Sequence, residues 1–162
     1  MDEYGGRVEN LMRLLQEVVE SLIEVWGEHR VAVRLSPENS YNDMSDSQPE
    51  RTFTAVIKML SAYPLAYLHV LEGDMATGES ALDYNKLRQS FSGLYMANNA
   101  YDQARASSAL EKGTADMVAF GKLFIANPDL PERFALGAPM NPLDVDTLYG
   151  GDEKGYIDYP RL

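Results

Sequence analysis

The sequence predicts an α/β fold of the (βα)8-barrel kind, of which this chain carries one half. Three observations predict it. Short β-branched runs alternate with helical segments along the whole chain, four such runs occur, and 162 residues fall short of the ~250 of a complete barrel. A βα repeat implies a parallel sheet, and four strands cannot close on themselves. A flavodoxin-like open sheet is the competing fold. It needs helices on both faces, and the sequence supplies few for that.

The elements follow in order. Over residues 8–26, Leu11, Leu14, Leu15, Val18, Val19, Leu22, Ile23 and Trp26 recur at helical spacing, and Gly27 closes the helix. Residues 30–35, ended by Ser36 and Pro37, read as the first strand. A polar loop covers 38–48. Ser47, with Pro49 and Glu50 just inside, has capping-box spacing for a second helix reaching Met59. Pro64 stops that helix, and residues 65–71 form the second strand. After a Gly-containing loop (72–78) come a weaker helical segment over 84–91 and a third strand over 93–97. Residues 102–112 form a clear helix closed by Gly113, 116–120 the fourth strand, and Asp129 opens another short helix. The tail, 137–162, is rich in Pro, Gly and Tyr and is expected to wrap over a surface. No composition shift marks a boundary, so residues 1–162 read as a single partial domain.

The bulk numbers narrow the function. A 45% apolar content supports a real core, and a formal charge of −11 argues against nucleic acid or anionic membrane as partner. There is no cysteine, hence no disulfide or thiolate metal site, which fits a reducing cytoplasm. No apolar run approaches the ~20 residues of a membrane span.

Parallel βα folds bind ligands beyond the C-terminal ends of their strands. Asn98, Asn99 and Ala100 follow the third strand there, and Gly121 and Lys122 follow the fourth. Two consecutive loops therefore offer backbone N–H groups and a Lys cation, the chemistry of a phosphate site. A Gly-Lys pair is also compatible with a plain turn carrying a solvated Lys. Arg34, set among apolar strand residues, requires an anionic or carbonyl partner; an ion pair with a neighbouring carboxylate is the alternative to a ligand. His69 reads as a packed, hydrogen-bonded strand residue, and the two histidines form no metal motif. Asp43, Asp46, Asp144 and Asp146 read as caps or solvated charge.

Several segments together resemble the Old Yellow Enzyme family of FMN-dependent ene-reductases. They are Asp2-Glu3-Tyr4-Gly5-Gly6, Val33-Arg34-Leu35-Ser36-Pro37, Asn42-Asp43-Met44-Ser45-Asp46-Ser47, Ala66-Tyr67-Leu68-His69, Phe124-Ile125-Ala126-Asn127-Pro128-Asp129-Leu130 and Gly155-Tyr156-Ile157-Asp158-Tyr159-Pro160. The resemblance runs from end to end and implies strands five to eight of the family's barrel. It implies FMN as cofactor, NAD(P)H as reductant and an activated alkene as substrate. Arg34 falls where the family reaches the flavin N1/C2 carbonyl edge. Asn99, Ala100, Gly121 and Lys122 fall at the FMN phosphate, Tyr149 beside flavin and substrate, and Tyr41 in the loop over the active site. Gly is common in the family at Asn99 or Ala100, Arg at Lys122, and Phe at Leu148. The family's carbonyl-binding His pair and proton donor belong to the preceding half. The chain is therefore expected either to join an N-terminal half-barrel or to pair with a second copy. An inactive half-barrel, or an open module without flavin, stands as the alternative.

Overall fold

A computed structural model describes residues 2–162, which resolve into two compact units, the first ending at Ala119 and the second spanning Phe120–Leu162. In the first unit, α1 (Val8–Leu11) and α2 (Arg13–Trp26) lead into β1 (Ala32–Leu35); α3 (Pro49–Leu60), β2 (Tyr67–Leu71), α4 (Tyr84–Gln89), β3 (Tyr95–Asn98), α5 (Gln103–Glu111) and β4 (Met117–Ala119) follow. The four strands form one parallel sheet in the order β1-β2-β3-β4.

That order separates the two candidate folds. A doubly wound sheet reverses direction at a switch point, whereas this one always adds the next strand on the same side. Right-handed crossovers then send every connecting helix to the same face, as in a barrel wall. Burial along the strands agrees. Val33, Leu35, Leu68, Val70, Tyr95 and Ala97 are buried, while Ala32 and Arg34 are exposed and Tyr67, His69, Met96 and Asn98 are only partly covered. The covered side packs with Val19 of α2, Val56, Ile57 and Leu60 of α3, Leu87 of α4 and Ala109 of α5. Parallel strands are usually apolar on both faces; these carry Arg, His and Asn on one of them.

Several sequence expectations are corrected. The helix over 8–26 breaks at Met12 (φ −90°, ψ −7°), where Asn10 Nδ2 and Arg13 Nε donate to the carbonyls of Gly5 and Glu3 and tie the preceding turn to the break. The Ser47 capping box does not form. Gln48 occupies the N-cap of α3 without a side-chain bond, and Glu50 instead pairs with Lys86 of α4. The two glycine stops conform, Gly27 and Gly113 adopting φ of 85° and 66°. At the start of α5, Asp102 accepts from the Arg105 amide.

In the second unit, α6 (Lys122–Ala126), which the sequence pattern did not announce, is followed by α7 (Leu130–Leu136). Asn127, Asp129 and Arg133 are buried and anchor the tail. Arg133 donates to Asp129 Oδ1 and to the carbonyls of Pro139 and Pro160, Asp129 Oδ2 accepts from the Leu162 amide, and Asn127 Oδ1 accepts from the Asn141 amide. The segment that carries the resemblance is thus the fastening point of residues 139–162. No helix among the described residues is long and apolar enough to cross a membrane.

The one-sided sheet makes a direct prediction. Leu68→Ala, on the covered face, should cost ~3 kcal/mol. Ala32→Ser, on the open face, should stay within about 0.5 kcal/mol of the parent in urea unfolding. Equal losses would contradict the assignment of faces.

Candidate functional site

The open face sets Arg34 in register with His69, and the row continues across the sheet through Met96 and Met117. Arg34 is exposed and makes no hydrogen bond or ion pair among the described residues, so the carboxylate partner allowed by the sequence is not found. An Arg held on a strand without a counter-charge is available to an incoming electron-rich group. His69 departs from expectation. It is half-buried, but its Nε2 has no hydrogen-bond partner. Burial, and then the charge of Arg34, hold its pKa below the ordinary imidazole value, so the ring beside Arg34 is neutral near pH 7.

At the C-terminal edge of β2 and β3 lies a cluster that the sequence did not single out. Glu72 accepts from the hydroxyls of Tyr95 (3.1 Å) and Tyr101 (2.8 Å), and Arg105 stands 3.7 Å from its Oε2. Burial raises the Glu72 pKa against these partners, and the Tyr101 hydroxyl is pushed up to about 12 by burial and then by the Glu72 charge. The only sequence signal was the recurrence of Tyr at strand and turn ends. Nearby, Asp74 accepts from the amides of Ser40, Ala76 and Thr77, and Ser40 above all holds its carboxyl well below the usual range. Glu38 accepts from the Ala81 and Leu82 amides and from Tyr84, whose hydroxyl accepts in turn from the Gly73 amide. These bonds fasten the loops after β1 and β2 to one another.

The turn after β3 is the expected phosphate loop. Asn99 (φ 95°) and Ala100 (φ 53°) both adopt positive φ without being glycine. Asn99 Nδ2 donates to the carbonyls of Glu72 (2.8 Å) and Asp74 (3.4 Å), and the amides of Asn99 and Ala100 donate to no group among the described residues. Backbone held in this way with unused N–H groups suits an anion. Tyr41, in a 3-10 turn over Tyr41–Asp43 beyond β1, is 61% exposed.

In the second unit, Gly121 precedes α6, and a Cβ built on it would meet nothing within 4 Å. Lys122 is exposed and forms no ion pair among the described residues. Tyr149 is 89% exposed and Leu148 partly covered.

The model of the NADH:flavin oxidoreductase / NADH oxidase family matches residues 1–141. A 12-oxophytodienoate reductase of Oryza sativa subsp. japonica is 40% identical over 167 residues, covering 99% of this chain and 44% of the relative. The structure of morphinone reductase in complex with tetrahydroNAD superposes with a TM-score of 0.91 at 44% identity, over 100% of this chain and 44% of that one. The old yellow enzyme from Trypanosoma cruzi gives a TM-score of 0.94 at 36% identity, over 99% and 43%. The chain thus spans about half the length of these relatives, and its sheet corresponds to half a barrel.

The His69 pKa sets a pH dependence. The folded ring protonates below the ~6.5 of a free imidazole, so the unfolded chain takes up the proton first and stability falls as pH drops through that value. In an NMR titration, His69 should shift at lower pH than a free imidazole, and Arg34→Gln should bring its midpoint back toward the ordinary value. An unshifted His69 in the parent would contradict the assignment.

Proposed function

The chain belongs to the NADH:flavin oxidoreductase / NADH oxidase family, and on that premise we propose that it is the flavin- and phosphate-binding half of an FMN-dependent NAD(P)H oxidoreductase acting on activated C=C bonds. The observation that carries this reading is the pairing of an unpartnered Arg34 on the open face with a positive-φ turn, Asn99–Ala100, whose amides are unused. When bound, FMN supplies the means to move a hydride from a reduced nicotinamide to an alkene carbon.

The chain's own residues then have separable tasks. Arg34 holds the electron-rich carbonyl edge of the ring and stabilises negative charge there. In the first unit the Asn99 and Ala100 amides are assigned to phosphate contact, and in the second unit Gly121 and Lys122 are assigned to it separately, Lys122 as a point charge. Tyr41 of the first unit is assigned to the loop over the substrate, and Tyr149 of the second unit, by the resemblance, to flavin or substrate contact. The neutral His69 keeps a second cation from competing beside Arg34. The acidic, cysteine-free composition suits a cytoplasmic setting.

A second reading is favoured by the open sheet face and by the exposed apolar residues of the N-terminal helices, Leu11, Leu14, Val18, Val25 and Trp26. In it the chain alone is inactive and needs an N-terminal half-barrel, or a second copy, to cover these surfaces. Flavin-fluorescence titration and enone reduction with NAD(P)H separate the two. We expect Arg34→Ala to weaken FMN and riboflavin alike, and Lys122→Ala to weaken FMN about tenfold while sparing riboflavin, the equivalent of ~1.4 kcal/mol of phosphate contact. A chain that stays colourless with excess FMN sinks the flavin reading. FMN binding without turnover supports the half-barrel reading.

A further inference from the structure

We propose that Arg105 is a positioning residue that replaces glycine in the phosphate turn, holding Asn99 and Ala100 in their positive-φ conformation and aiming the Ala100 and Tyr101 amides outward. This rests on the reading of that turn as the FMN phosphate loop. Arg105 Nη1 donates to the carbonyls of both Asn99 and Ala100 at 3.2 Å each. In a trans peptide the C=O and the following N–H point in opposite directions. A grip on Asn99 O therefore turns the Ala100 N–H away from Arg105, and a grip on Ala100 O does the same for the Tyr101 N–H. Neither amide donates to any group among the described residues.

The guanidinium is itself held from two further sides. It stacks over the Tyr101 ring at 4.1 Å and stands beside Glu72 Oε2, which the Tyr101 hydroxyl also donates to. Asn99 fastens the other end of the turn through Nδ2 to Glu72 O and Asp74 O. A glycine would adopt these dihedrals unaided; Asn and especially Ala need an external hold. Both bonds leave one nitrogen, Nη1, which a Lys ammonium could imitate; what Arg alone adds is a flat guanidinium that stacks on Tyr101 and reaches Glu72 at the same time.

The test uses the chain as it stands. Arg105→Met should drop the 15N order parameters of the Ala100 and Tyr101 amides from about 0.85 to below about 0.6 without ligand. It should also weaken FMN about tenfold (~1.4 kcal/mol) and leave riboflavin unchanged. Adding Ala100→Gly to Arg105→Met should recover FMN affinity, because glycine adopts the turn without a clamp. Unchanged order parameters overturn the proposal while leaving the phosphate reading intact. No recovery with Ala100→Gly also overturns it, because Arg105 would then act on the phosphate directly. If the parent binds FMN no better than riboflavin, the phosphate reading itself fails, and the order parameters judge the clamp alone.

Discussion

The structure depends on a parallel sheet that is apolar on one face only. Leu68, Val70, Tyr95 and Ala97 seal against helices, while Arg34, His69, Met96 and Asn98 occupy the alternate positions. Burying Arg34 unpaired on the helix side would be costly, so the alternation settles which face receives the helices. The Arg34–His69 pair on the open face and the apolar core are therefore two consequences of one period-two pattern.

The loops at the C-terminal edge of the strands are fixed by acids rather than by glycine alone. Glu38, Glu72 and Asp74 collect donors from loops and neighbouring elements, through the amides of 40, 76, 77, 81 and 82 and the hydroxyls of Tyr84, Tyr95 and Tyr101. A carboxylate accepts at both oxygens, so one side chain can tie two segments. The cost is visible at Glu72, whose burial disfavours its charge. The formal −11 is thus partly structural, invested in the loops that hold the site.

The strands and the Gly27 and Gly113 stops were legible because each depends on local backbone chemistry. Arg34 was legible as a misfit in an apolar run, and Asn99 and Ala100 as strand-end residues. What escaped depends on tertiary partners. The break at Met12 follows from Asn10 and Arg13 reaching back to residues 3–5, and the Ser47 box failed because Glu50 found Lys86. The Glu72 cluster joins residues whose neighbours no periodicity reveals, and although Asp129 and Arg133 stand at i,i+4, their tail partners Pro139, Pro160 and Leu162 do not follow from spacing. The missing partner of His69 Nε2 is likewise a property of the assembled face.

The sequential strand order has a kinetic side. Each strand pairs with the one made just before it, Arg34 with His69, His69 with Met96 and Met96 with Met117, so successive partners lie 35, 27 and 21 residues apart. Such loops close at small entropic cost, and no strand waits for a distant segment to be synthesised. The sheet can be laid down in the order in which the ribosome delivers it, with β4 the last edge to form.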